Sequence, residues 1–208
     1  MAIVLRVDAR SPEPPVVREA ARMIRAGRIV AYPTDTLYGL AVDPRNAAAV
    51  QRLYLLKGRP ETSALTLIAA DLAQAQLAAY LTPAARALAR EWWPGPLTIV
   101  VPADASITPA ALAGGTTVGV RVPDHAVAVD LAREVGFCIT ATSANRSGGR
   151  APASTDEVLG ALPDVDMILD AGRAPGGDPS TIVGALDQDV TLIRAGAVPW
   201  DRVLRSVR

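Results

Sequence analysis

The sequence predicts an α/β fold: a twisted mixed sheet with helices on its faces. Three observations carry that expectation. Short apolar runs of strand length alternate with amphipathic segments of helix length along all 208 residues. The runs are continuous rather than strictly alternating, which suits strands covered on both faces. Half of the chain is hydrophobic, enough to bury a sizeable core, and no fixed-period repeat or low-complexity linker divides it.

The helices are marked by their ends. A helix is expected over 16–26, and another over 47–56, capped by Asn46 and stopped near Gly58. Others follow Asp71 and Thr82-Pro83, where threonine caps and proline takes the first helical position. Asp124 opens a helix over 125–135 that Gly136 ends, and Ser154-Thr155-Asp156-Glu157 has capping-box form. Strands are expected over 29–32, 65–69, 97–101, 118–122, 138–142, 167–169, 181–186 and 190–194. The glycine-containing stretches 112–116 and 174–179 read as loops able to approach a ligand closely.

Composition removes several function classes. Twenty-one basic residues balance twenty-one acidic ones, so affinity does not rest on bulk charge, and any nucleic acid would be held by a local patch. A single cysteine, Cys138, precludes an internal disulfide and a cysteine-based zinc site, and a single histidine, His125, precludes the usual His-rich catalytic metal centres. No apolar run is long enough to cross a bilayer and no basic leader precedes one, so a cytoplasmic location is expected. Of the basic residues only Lys57 is lysine.

Polar residues concentrate just after strands, where open α/β sheets place ligands. Residues 32–40 offer Thr34, Asp35 and Thr36 on a turn. Lys57-Gly58-Arg59-Pro60 places an ammonium and a guanidinium after a helix, a pair suited to polyphosphate. The alternative is a charge complementing a helix C-terminus, worth about 0.3–1 kcal/mol. Trp93-Pro94-Gly95-Pro96-Leu97-Thr98 is a rigid turn feeding a strand. Thr117, Gly119 and Arg121 share one face of a valine-rich strand, where the arginine needs a carboxylate, either a ligand's or an internal Asp or Glu. Residues 141–149 offer hydroxyls and exposed amides, with Pro179-Ser180-Thr181-Ile182 and Arg194-Ala195-Gly196 as weaker echoes.

Neither a Walker loop nor a dinucleotide fingerprint occurs. A triad of His125, Ser143 and Asp170 lacks the G-x-S-x-G elbow, and Cys138 in an apolar strand reads as buried and inert.

Taken in order, Pro33-Thr34-Asp35-Thr36, Lys57-Gly58-Arg59-Pro60, Pro94-Gly95-Pro96-Leu97-Thr98, Arg121-Val122-Pro123-Asp124-His125, Thr142-Ser143-Ala144-Asn145-Arg146-Ser147-Gly148, Pro179-Ser180-Thr181-Ile182 and Arg194-Ala195-Gly196 resemble the YrdC-like family in its short threonylcarbamoyl-AMP synthase form. The resemblance spans residues 27–196 and implies one YrdC-like domain over 1–208, a deep basic cavity, and synthesis of threonylcarbamoyl-AMP and pyrophosphate from L-threonine, bicarbonate or CO2, and ATP. The product would pass to a complex that modifies tRNA. On the matching positions, the resemblance implies ATP contacts from Lys57, Arg59, Thr117, Ser143, Asn145, Ala151 and Arg194, and L-threonine contacts from Thr36, Arg121, Ala141 and Ser180. Magnesium is expected with the triphosphate, held mostly by phosphates and water.

Two departures stand out. Glu61-Thr62-Ser63-Ala64 replaces the Asn-Pro-Leu run of the long form, and Gly184 stands where an aspartate is frequent. Two rival readings are a non-catalytic factor that binds RNA or matures ribosomes, against which balanced charge and few aromatics argue, and a paralogue with other carbamoyl-adenylate chemistry.

Overall fold

The computed structural model describes residues 2–187 and 189–206. The chain opens with β1 (Ile3–Arg6) and α1 (Pro14–Arg25), whose first turn accommodates two prolines because its N–H groups have no intrahelical acceptor. Next come β2 (Val30–Tyr32), β3 (Gly39–Ala41) and α2 (Ala47–Lys57). The Asn46 side chain accepts the Ala49 N–H to start α2, and Gly58 in the left-handed conformation ends it.

After β4 (Thr66–Ile68), Asp71 caps the single turn α3 (Leu72–Ala75), and Thr82 caps α4 (Pro83–Trp92). The strands β5 (Leu97–Pro102) and β6 (Thr117–Arg121) lead to α5 (Ala126–Val135), then β7 (Ile139–Thr140) and β8 (Thr142–Ser143). The chain continues through α6 (Thr155–Ala161), β9 (Met167–Asp170), β10 (Thr181–Gly184), β11 (Thr191–Arg194) and α7 (Trp200–Arg205).

The α/β class is as the sequence predicts, with parallel and antiparallel pairs mixed. The strands divide between two sheets, where one was expected: a five-stranded sheet of order β1-β9-β2-β3-β8 and a six-stranded sheet of order β11-β10-β5-β6-β4-β7. The reason lies in the run 138–142, read from the sequence as one strand. It breaks at Ala141, so that β7 pairs with β4 in one sheet and β8 pairs with β3 in the other.

Thr140 fastens the sheets at this crossing. Its hydroxyl donates to the Leu40 carbonyl at 2.8 Å and accepts the Val42 N–H at 2.9 Å, while its carbonyl accepts the Tyr32 hydroxyl at 2.9 Å.

Two hydrophobic layers hold the sheets. Leu53, Leu67, Ile99 and Val120 are fully buried in one; in the other Ala20, Ala21 and Ile24 of α1 and Val127, Ala128 and Leu131 of α5 pack with Val30, Met167 and Leu169. Each fully buried Val, Leu, Ile or Met side chain contributes about 1.5–3 kcal/mol. The sequence does not mark β1, β3 or α7 as elements. His125 is the N-cap of α5 rather than its first helical residue.

Candidate ligand cavity

One face of the six-stranded sheet floors a cavity of about 550 Å³. Thr66 of β4 stands opposite Gly119 of β6, Gly119 opposite Val100 of β5, and Thr98 of β5 opposite Ile182 of β10. All five line the cavity, and so do Thr117 and Arg121, which follow Gly119's face at a period of two. Gly119 is required here: a Cβ would lie 2.7 Å from Thr66 Cγ2 and 3.1 Å from Thr98 Cγ2.

The wall from the five-stranded sheet is the turn between β2 and β3. Thr34 organises it, its hydroxyl accepting the N–H groups of Thr36 and Leu37 at 3.1 and 3.2 Å and donating to the Leu37 carbonyl at 2.7 Å. This sets Thr36 against the cavity, with its hydroxyl 3.0 Å from that of Thr34. Ala141, Thr142 and Ser143 enter where the chain changes sheets.

Three guanidinium groups line the space. Arg121 is held through two of its donors, Nε donating to the Gly95 carbonyl at 3.0 Å and Nη2 to Asp35, so the internal partner foreseen for it exists while the residue still borders the cavity. Burial pushes its pKa down and Asp35 pulls it back up. Arg59 donates to Thr142 Oγ1 at 3.0 Å and to the Ala64 carbonyl at 2.8 Å, with its buried Nε unpartnered. Arg194 donates to the Ser180 carbonyl at 2.7 Å. Burial lowers the pKa of both, and for Arg194 the neighbouring Arg121 adds to the effect. Among the described residues neither forms an ion pair. Ser180 Oγ lies 2.9 Å from Thr98 Oγ1 in a buried hydroxyl pair.

The structure thus gathers Thr36, Arg59, Thr117, Arg121, Ala141, Ser143, Ala151, Ser180 and Arg194 around one space. Lys57 and Asn145 do not line it. The Lys57 ammonium, expected to point into the cavity, is turned under the 143–149 loop and donates to the carbonyls of Ser143 and Asn145. Asn145 faces inward too, its amide donating to the carbonyls of Arg146 and Gly149, each at 2.7 Å.

Thr34, Thr98 and Ile182, which lie in the polar motifs of the sequence, line the cavity as well, whereas Thr66, Val100 and Ile193 are lining residues that the sequence does not single out. For Thr66 no local signal exists, since its place follows from pairing with Gly119.

No triad forms. Ser143 lines the cavity, Asp170 accepts the Thr155 hydroxyl at 2.8 Å and the Gly172 N–H at 3.1 Å, and His125 does not line the cavity. Burial lowers the histidine's pKa, and its Nδ1 is buried without a partner. Cys138 is buried, its thiol pushed up to about 12 by desolvation.

A family model covering Sua5, YciO and YrdC, described as "Telomere recombination", matches residues 22–196. The chain belongs to the Sua5/YciO/YrdC family. Within that family it is 35% identical over 199 residues to a threonylcarbamoyl-AMP synthase of Bacillus subtilis, a match covering 94% of this chain and 58% of the Bacillus protein. It is 37% identical over 178 residues to a threonylcarbamoyl-AMP synthase of Idiomarina loihiensis, covering 83% of this chain and 95% of that one. The crystal structure of P. abyssi Sua5 complexed with L-threonine superposes with a TM-score of 0.93 at 34% identity, covering 99% of this chain and 61% of that chain. The chain therefore spans about three-fifths of the length of the longer Sua5/YciO/YrdC relatives.

Proposed function

We propose that this chain joins L-threonine, bicarbonate or CO2, and ATP to give threonylcarbamoyl-AMP and pyrophosphate, for modification of tRNA. The observation that carries the reading is the convergence of Arg59, Arg121 and Arg194 on one cavity with Asp35 as the single carboxylate ion-paired to them among the described residues. Such a space is electrostatically incomplete until anions enter it. An amino-acid carboxylate and a polyphosphate supply that charge, and the relatives are named for a product that joins a threonine unit to AMP.

In this reading Arg121 takes the threonine carboxylate, its free edge aimed by Gly95 and Asp35. Thr36, Ala141 and Ser180 complete the amino-acid subsite. The threonine amine adds to CO2 through its lone pair, and the N–H proton it sheds passes to water, leaving a carbamate. A carbamate oxygen then attacks the α-phosphorus of ATP, and the bond to the bridging oxygen breaks as pyrophosphate departs with that electron pair. Arg59 and Arg194 stabilise charge on the phosphates, while Thr117, Ser143 and the backbone at Ala151 orient the nucleotide. Magnesium would come with ATP as a counter-charge for the triphosphate and would be held mostly by phosphate and water, since the nearby carboxylate of Asp35 is committed to Arg121.

The test is pyrophosphate release by the purified protein with L-threonine and bicarbonate omitted in turn. Release that needs both supports the synthase. Turnover indifferent to threonine transfers the reading to another carbamoyl-adenylate chemistry, and tRNA binding without turnover to a non-catalytic factor.

A further inference from the structure

We propose that Lys57 is a positioning residue for the nucleotide site rather than a ligand of the phosphates: its ammonium holds the 143–149 loop from beneath and thereby sets where Ser143 stands in the cavity. The proposal rests on the nucleotide reading above only for its binding arm.

The geometry separates the two cations of Lys57-Gly58-Arg59. Gly58 turns the chain at the end of α2, so that the side chains on either side of it part. Arg59 goes to the cavity. Lys57 is 2% exposed, and its Nζ donates to the Ser143 carbonyl and, at 2.7 Å, to the Asn145 carbonyl.

Its own carbonyl accepts the Ser147 N–H at 2.8 Å, so one residue grips the loop with side chain and backbone together. Asn145 closes the loop from inside through the Arg146 and Gly149 carbonyls, and the Gly149 N–H donates to the Arg146 carbonyl at 3.0 Å. An ammonium bonded in this way to two carbonyls is buried where a charge is costly unless those bonds are kept. Burial and the neighbouring Arg59 push its pKa down to about 8, which still leaves it an ammonium at neutral pH.

The arrangement also accounts for a lysine in a chain that otherwise uses arginine. Gathering two carbonyls at one point suits a compact cation with freely rotating donors, whereas a planar guanidinium needs a wider slot and fixed directions.

Because Lys57 is the sole lysine, protein labelled with 15N at lysine gives a single side-chain ammonium signal, readable in the wild type. In the unliganded protein that signal is expected to be hydrogen-bonded and protected from exchange, and ATP is expected to move it no more than AMP does. A freely exchanging signal that becomes protected only on adding ATP overturns the proposal.

The second arm uses Lys57→Met and Lys57→Arg. A positioning role weakens AMP and ATP by the same factor, about tenfold or more, and arginine does not restore it. Loss confined to ATP, with rescue by arginine, makes Lys57 a phosphate ligand and overturns the proposal. If the wild type binds neither nucleotide, the synthase reading fails while the unliganded ammonium signal still decides the role of Lys57.

Discussion

Asp35, on the turn after β2, is hydrogen-bonded to Nη2 of Arg121 at the end of β6, so one sheet supplies the counter-charge for a cation rooted in the other. Removing one partner of such a pair leaves an uncompensated charge, typically at about 3–5 kcal/mol. One edge of Arg121 faces the cavity, which places the expected loss for Asp35→Ala near the lower end, about 3 kcal/mol. Urea unfolding of the variant against the wild type measures it. A loss below about 1 kcal/mol, the size of an exposed pair, would sink the claim that this contact joins the sheets.

Gly119 lets Thr66 and Thr98 flank a flat stretch of floor. Gly119→Ala is expected to cost about 1–3 kcal/mol by overpacking and to weaken ligands that lie on that floor. The nearest obstacle is a single methyl group, Thr66 Cγ2. Adding Thr66→Ser should therefore recover most of the stability, a coupling read from a double-mutant cycle. Simple additivity of the two changes would refute the contact.

Cys138 lies in the core with its Sγ directed at the Gln74 carbonyl, 3.4 Å away. Its thiol is held up at about 12, so little thiolate forms at neutral pH. Iodoacetamide at pH 7.5 should leave it unmodified in the folded protein and alkylate it once denaturant opens the core. Rapid labelling under native conditions, followed by mass spectrometry, would contradict this placement.

Much of the fold is legible because its punctuation is local. Asn46, Thr82 and Ser154 mark helix starts by side chains that accept N–H groups three residues on, and Gly58 and Gly136 mark stops by backbone conformation. The second sheet is not legible, because it depends on a break at Ala141 inside a run with no turn residue; the break exists to let Thr140 and Thr142 pair in different directions.

The site divides likewise. Arg121 stands out as a charge among valines, and Thr36 and Ser180 by their motifs. Thr66 enters the cavity only by register with Gly119, 53 positions away. Lys57 is conspicuous as a residue type, yet the direction of its side chain is decided by where the 143–149 loop settles over it.

That burial gives a pH signature with a definite sign. The Lys57 ammonium has its pKa lowered from 10.5 to about 8 in the folded protein. Between those values the unfolded chain keeps a proton that the folded chain has lost, so the unfolded state binds more protons and stability rises with pH. Below about 8 both states are protonated and the burial cost is present in full; above about 10.5 neither is and the cost is gone. At 1.36 kcal/mol per unit the rise across the window is about 3 kcal/mol. In the unfolded chain the tyrosines and Cys138 begin to lose protons in the same range while the folded chain holds theirs, so the quantity to measure is the difference between wild type and Lys57→Met, by urea unfolding at half-unit steps from pH 7 to 10.5. The wild type should gain on the variant from about pH 8 upward. A difference that stays flat would place the ammonium in water rather than beneath the loop.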